Sequence, residues 1–282
     1  MVPGLAHGHP TGSVDIGGRS LYLECRGNGK PTVVLEAGLR SRGDVWSTAL
    51  DPATNSATVL DRVSRFTKVC EYDRPGTTLG VDSLSRSDPV AMPRTARQAT
   101  ADLRALLKAA GVRGPYVLAG HSTGGLFVQL YARRHPKRVA GLVLVESLAE
   151  RLESAFTPQG WELFRKLNTD PPPGLEGYAD LEIVDFDTSY AQLRRAERRR
   201  PLRPMPLTVI SRTVASELPA YVPPGYPQTF ERVWQVGQRA LARLLPDARH
   251  VHARRSGHYV MLDRPRLVIR EIRRVVEAAS GR

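Results

Sequence analysis

The sequence predicts an α/β protein with a mostly parallel central sheet and helices on both faces. Three observations lead there. Short apolar runs alternate with helical segments along most of the chain. The run Thr32-Val33-Val34-Leu35-Glu36 is continuously apolar up to its last residue, as suits a strand covered on both sides. Gly120-His121-Ser122-Thr123-Gly124-Gly125 joins an apolar run directly to a helical pattern, a strand, sharp turn and helix in succession. With 282 residues, 41% of them hydrophobic, the chain can bury one large core, so a single domain with an insertion is expected.

The elements follow in order. Residues 13–16 and 20–25 read as strands around a Gly17-Gly18 hairpin turn, and residues 31–36 form the next strand. A helical stretch is expected over 53–63, then a strand over 67–72 and the turn Asp73-Arg74-Pro75-Gly76. Residues 94–110 are an Ala- and Leu-rich helix stopped by Gly111. Strands are expected at 115–119, 139–146, 205–210 and 248–254, and helices at 126–134, 230–244 and 264–279. Residues 147–204 break the rhythm with Pro171-Pro172-Pro173, an acidic patch (Asp180, Glu182, Asp185, Asp187) and an arginine run. This stretch is expected to form a lid over the sheet's C-terminal edge, between core segments 1–146 and 205–282. Repeats and low-complexity tracts are not evident.

The formal charge of +13 raises the question of nucleic acid or an anionic surface. Only residues 30, 68, 108, 137 and 166 are Lys; the other basic residues are Arg, spread over most helices and loops as a GC-rich genome would leave them. No nucleic-acid partner is expected. The densest run, Arg194, Arg195, Arg198, Arg199, Arg200 and Arg203, reads as a solvated helix face rather than a dedicated anion site. The longest apolar runs fall far short of the roughly 20 residues that span a bilayer. The first 18 residues have neither a basic leader nor an apolar run, so a cytoplasmic protein is expected, export of a processed form aside. Two cysteines lack zinc-site spacing and read as small buried residues.

Gly120-x-Ser122-x-Gly124 is the nucleophile-elbow pattern, in which a strained turn projects a serine hydroxyl above the sheet. The flanking glycines let strand and helix backbones approach, and the helix amino end offers free N–H groups to an oxyanion. Serine is a poor nucleophile near neutral pH and needs a base, most often an imidazole held by a carboxylate. Among seven histidines, His7 and His9 lie near the terminus, His135 near a helix end, His250 and His252 in or beside a strand, and His121 is the elbow's variable residue. His258, in Ser256-Gly257-His258-Tyr259 between the last strand and the closing helix, can hang over the sheet edge opposite Ser122.

Over nearly its whole length the chain resembles the α/β-hydrolase fold superfamily, in its serine esterase-like branch. The resemblance rests on an ordered series: residues 31–39, Cys70 to Gly76, the elbow at 120–125, and the histidine loop at 256–259. It implies oxyanion donors at the backbone N–H groups of Leu39 and Thr123. Many members carry His-Gly where Glu36-Ala37-Gly38 stands here; Glu36 is read as serving loop structure. The family's usual acid position reads Ser211-Arg212-Thr213-Val214-Ala215-Ser216 and offers no carboxylate. Glu146 ends a strand where some members, such as haloalkane dehalogenases, place their acid; Glu217, slightly late after the next strand, is the alternative. The family's sheet order also makes a Cys25–Cys70 disulfide possible, which would argue for an oxidising compartment.

The expected activity is hydrolysis of a carboxylic ester of a small or medium-sized organic substrate through an acyl-serine, without cofactor or metal. Lactone, thioester or amide cleavage, acyl transfer, or ligand binding without turnover are the alternatives. A serine at position 122 argues against epoxide hydrolase or dehalogenase chemistry, which needs a carboxylate nucleophile there. Trp161, Phe164, Leu167, Tyr178 and Tyr190 either line an apolar pocket or pack the lid. Substrate identity and oligomeric state are not set by the sequence.

Overall fold

The structure, a computed structural model, describes residues 10–50 and 57–281. β1 (Thr11–Asp15) and β2 (Ser20–Arg26) form a hairpin whose turn places Gly17 and Gly18 at φ 97° and 88°, in the left-handed region where a side chain is unwelcome. β3 (Thr32–Glu36) is buried at every position, as its unbroken apolar run requires. α1 (Val59–Val63) and β4 (Val69–Tyr72) follow. The helix expected over 53–63 is seen from Val59; positions 53–56 lie outside the described residues.

α2 (Ala96–Ala109) starts at a capping box in which Thr95 and Gln98 satisfy each other's backbone N–H groups. β5 (Tyr116–His121), α3 (Thr123–Arg134) and β6 (Val139–Val145) come next. Between β6 and β7 (Leu207–Arg212) the insertion contains α4 (Leu152–Ala155), α5 (Pro158–Thr169) and α6 (Phe186–Arg199). α7 (Tyr226–Leu241), β8 (Arg249–Ala253), α8 (Val260–Asp263) and α9 (Pro265–Ala279) complete the chain.

Among the described residues, eight strands are ordered β1-β2-β4-β3-β5-β6-β7-β8, antiparallel at β1–β2 and β2–β4 and parallel elsewhere. From β3 the chain moves one way to β4 and later returns to the other side as β5. A crevice therefore opens at the carboxyl ends of β3 and β5, where open α/β sheets bind their ligands. One face is covered by α2 and α3 through Leu103, Leu106, Val128 and Tyr131, the other by α1 and α9 through Leu60, Val63, Val268 and Ile272. A third, aromatic cluster fastens the insertion to α3 and α7, with Phe164, Trp161 and Tyr190 packed near Phe127, Phe230 and Trp234.

The two cysteines are buried, as expected, and the disulfide left open by the resemblance is formed. Cys25 and Cys70 stand directly opposite each other in the β2–β4 register and are joined by a disulfide, leaving no free cysteine among the described residues. The antiparallel pairing brings together residues 45 apart in sequence. Among the described residues, no helix is long and apolar enough to cross a membrane.

Candidate active site

Ser122 sits between the last residue of β5 and the first of α3, at φ 51° and ψ −122°. A residue with a side chain resists that backbone, so its surroundings must enforce it. They do so through glycine. A Cβ on Gly124 would lie 2.2 Å from the carbonyl oxygen of Ala37, one on Gly120 would lie 2.7 Å from the Cα of Gly125, and one on Gly125 would strike Ser147. The spacing legible in the sequence is thus a requirement for close approach of three segments.

The loop after β3 passes across the elbow. A Cβ on Gly38 would lie 3.2 Å from the Cβ of Ser122 and 2.8 Å from Nδ1 of His121. Leu39, next along this loop, borders the same cavity as Ser122, and Thr123 follows Ser122 in the chain. Among the described residues, the backbone N–H groups of Leu39 and Thr123 have no recorded acceptor.

His258 and Ser122 border the same two cavities, one of about 560 Å³ that includes Leu39, Thr78, Leu167 and Leu175, the other of about 620 Å³ that includes Phe164, Leu167, Leu218 and Trp234. Among the described residues no hydrogen bond links Ser122 Oγ to the imidazole, a contact that commonly tightens only with substrate in place. On the far side of the ring, His258 Nδ1 lies 3.4 Å from Glu146 Oε2. Glu146 is fully buried, at φ 45°, and accepts from the backbone N–H and Nε of Arg212 at 2.8 and 2.7 Å and from Trp234 Nε1 at 2.8 Å. Arg212 in turn donates to both oxygens of Glu231. Glu217 is exposed; it borders the second cavity and has no recorded bond to His258.

The histidine loop is braced twice. Asp263 Oδ2 accepts from the backbone N–H of Gly257 at 2.7 Å and the hydroxyl of Ser256 at 3.1 Å. The carbonyl oxygen of His258 lies 2.9 Å from Nε2 of His121, whose ring is buried 4.6 Å from that of His258. Burial, and then the nearby His258, push the His121 imidazole well below its ordinary pKa. The ring is therefore neutral and donates through Nε2–H, which leaves Nδ1 as a buried acceptor without a partner among the described residues.

A second charged group lies behind the loop that follows β3. Arg74 donates to Glu36 Oε1 (2.6 Å), to the carbonyl oxygens of Ala37 (2.9 Å) and Gly38 (2.6 Å), and to both oxygens of Glu182 (2.6 and 2.9 Å). Burial opposes its charge, but Glu182 and Glu36 hold the guanidinium above its usual range. Burial pushes the Glu36 carboxyl up, against the pull of Arg74 and a hydrogen bond from Tyr72. Glu36 thus belongs to the scaffold of the loop. Of the five apolar residues expected in the insertion, Phe164 and Leu167 line the cavities, whereas Trp161 and Tyr190 pack beneath them and Tyr178 is half-buried outside both.

Sequence reasoning missed Arg212, Trp234, Arg74 and Glu182. Arg212 gave one signal, a basic residue ending the apolar strand 207–212, where burial demands a carboxylate partner. The other three depend on contacts across 88 to 108 residues of chain, which leave no local pattern. Among the described residues, no group of His, Cys, Asp and Glu could hold a metal ion.

The chain is 27% identical to the "Probable transporter efuK" of Hormonema carpetanum over 94% of its own length and 42% of that protein. It spans less than half the length of the first curated relatives it matches. Among solved structures it resembles a thermophilic esterase from Thermogutta terrifontis (20% identity, TM-score 0.57, 93% of this chain and 94% of that one) and the enol-lactonase from Burkholderia xenovorans LB400 (20%, 0.57, 93% and 98%), likenesses that concern the fold. A family model described as the alpha/beta hydrolase family matches residues 33–271, so the elbow, the parallel sheet and the histidine loop described above are those of a chain that belongs to the alpha/beta hydrolase family.

Proposed function

We propose that this hydrolase is a serine esterase that cleaves carboxylic esters of small or medium-sized organic substrates through an acyl-serine. The observation that carries the reading is the strained Ser122 at the mouth of two cavities that it shares with His258, with Glu146 on the far side of the imidazole. Ser122 Oγ attacks the ester carbonyl carbon while His258 Nε2 takes its proton; the carbonyl oxygen becomes an oxyanion between the Leu39 and Thr123 N–H groups. Collapse breaks the bond to the alkoxide, which leaves with the proton from His258. Water, deprotonated by His258, then releases the acid and restores Ser122. Glu146 holds the imidazole in the Nδ1–H tautomer and stabilises its cationic form.

The two cavities meeting at Ser122 favour an open-chain ester, with its acyl and alcohol parts in separate arms, over a lactone confined to one. The insertion acts as a lid, since α5 supplies Leu167 and Asn168 to both arms. The disulfide favours an oxidising compartment over the cytoplasm.

The test is fluorophosphonate labelling of wild type, Ser122→Ala and His258→Ala, with hydrolysis of p-nitrophenyl esters of increasing chain length. Labelling and turnover are expected in the wild type, and both are expected to be lost in each variant. A folded wild type that neither labels nor turns over would make the chain a binding protein on a hydrolase scaffold.

A further inference from the structure

The N–H of Leu39 belongs to the same planar peptide unit as the carbonyl of Gly38, which is not among the cis bonds of the chain. In a trans unit the two groups point in opposite directions. Whatever holds the Gly38 oxygen therefore aims the Leu39 N–H. Arg74 Nη2 holds it at 2.6 Å, assisted by the N–H of Ser41 at 3.1 Å. The other donor is built differently. The carbonyl oxygen of Ser122, in the same unit as the Thr123 N–H, accepts from the backbone N–H groups of Gly125 and Leu148, both at 3.0 Å. One oxyanion donor is aimed by neutral backbone, the other by a buried cation.

We propose that Arg74, itself held by Glu182, is a positioning residue of the oxyanion hole. The proposal rests on the serine-hydrolase reading above. A charge-assisted hydrogen bond to a carbonyl fixes the peptide plane and draws electron density toward that oxygen, which strengthens the N–H of the same unit as a donor. The donor then meets the developing oxyanion already oriented, and no reorganisation is needed as charge builds.

Glu182 extends this to the insertion. Its carboxylate accepts from Arg74 and from the backbone N–H of Arg40 at 2.7 Å. The Arg40 guanidinium, in turn, donates to the carbonyl oxygens of Asn168, Thr169 and Asp170, where α5 ends, and to that of Glu182. Cations at a helix C-terminus satisfy its last carbonyls. Loop 37–40, the end of α5 and Glu182 thus form one hydrogen-bonded body, and the residues that seat the substrate against α5 are tied to the group that aims the Leu39 N–H.

The test compares wild type, Arg74→Lys, Glu182→Gln and Ser122→Ala. Each is assayed for kcat and KM on p-nitrophenyl butyrate, for inhibition by a trifluoromethyl ketone whose serine adduct carries an oxyanion, for fluorophosphonate labelling and for its thermal transition. The expected result is a fall in kcat of about 100-fold for Arg74→Lys and about 10-fold for Glu182→Gln, smaller than or equal to loss of a whole donor. KM is expected to stay within about twofold, and the ketone's inhibition constant to rise in proportion to the loss of kcat/KM. Folded variants with unchanged kcat and unchanged ketone inhibition would overturn the proposal, as would a loss confined to KM. If Arg74→Lys does not fold, Glu182→Gln, which keeps the side chain's size, decides alone. A wild type without labelling or turnover would remove the hydrolase reading itself, whereas an active wild type with unaffected variants would remove only the role of Arg74.

Discussion

Two glutamate–arginine–glutamate clusters, each built on a buried arginine, share an architecture and differ in which charge faces the site. On the histidine side, Arg212 joins Glu146 to Glu231, and the carboxylate of Glu146 faces the imidazole. On the oxyanion side, Arg74 joins Glu36 to Glu182, and the guanidinium faces the peptide carbonyls of the loop. In the proposed mechanism the first presents negative charge to a ring that becomes cationic, and the second presents positive charge to the back of a peptide whose front meets an anion. On that reading the same cluster type is turned around according to the sign of charge that develops beside it.

Stability alone does not account for either cluster, because replacing a whole buried ion triad by well-packed apolar residues is often neutral or stabilising. Removing one member is a different matter, since the remaining charges stay buried without compensation. Position in the site is what the triads supply.

The largest expected effect tests that division of labour. Glu146→Gln should lower kcat by about 10³- to 10⁴-fold on p-nitrophenyl esters, because the amide no longer favours the Nδ1–H tautomer or stabilises the imidazolium. Glu36→Gln, which reaches the Gly38–Leu39 peptide only through Arg74, should lower kcat by no more than about 10-fold while reducing stability. Glu217→Gln should leave kcat within about twofold. A large loss in Glu217→Gln with an active Glu146→Gln would break the comparison, because the histidine-side cluster would then be scaffold only.

Next in size is the cost of removing each arginine. Arg74→Met strands two buried carboxylates, Glu36 and Glu182, whereas Arg212→Met strands Glu146 but leaves Glu231 at 26% exposure, where water can reach it. Both should lose roughly 3–5 kcal/mol in urea unfolding, with Arg74→Met the larger. Equal losses, or a larger one for Arg212→Met, would show that hydration of the outer glutamate does not separate the two.

The clusters also show how far the sequence is legible. The strands are found because continuous burial leaves continuous apolar runs, and the elbow because three backbones can approach only where Gly120, Gly124 and Gly125 stand. The histidine loop follows from its place after the last strand. The clusters are invisible because their members come from separate elements: Glu36 from the end of β3, Arg74 from the turn after β4, Glu182 from the insertion. Glu182 reads as one charge in an acidic patch, and only the fold shows that it is buried while Asp180 stays exposed. Cys25 and Cys70 are intermediate, since their pairing follows from sheet order once the fold is named.

His121 connects the two sides. Its Nε2–H donates to the carbonyl of His258, its Nδ1 lies against Gly38, and the groups facing it are His258, Tyr259, Ser122 and Gly38, with no carboxylate recorded among them. Burial holds its pKa well below the ordinary value of about 6.5, so the folded chain keeps it neutral while the unfolded chain protonates it as pH falls. Between those two pKa values the unfolded state carries the extra proton, and stability falls as the pH is lowered. His121→Gln preserves a donor near the same place and cannot titrate. At pH 8 the variant should be less stable than wild type, and the gap should shrink by about 1.4 kcal/mol per pH unit below about 6.5, measured by urea unfolding in parallel buffers. A gap that stays constant from pH 8 to pH 5 would mean that the imidazole linking the two flanks takes up its proton at the same pH in the folded chain as in the unfolded one.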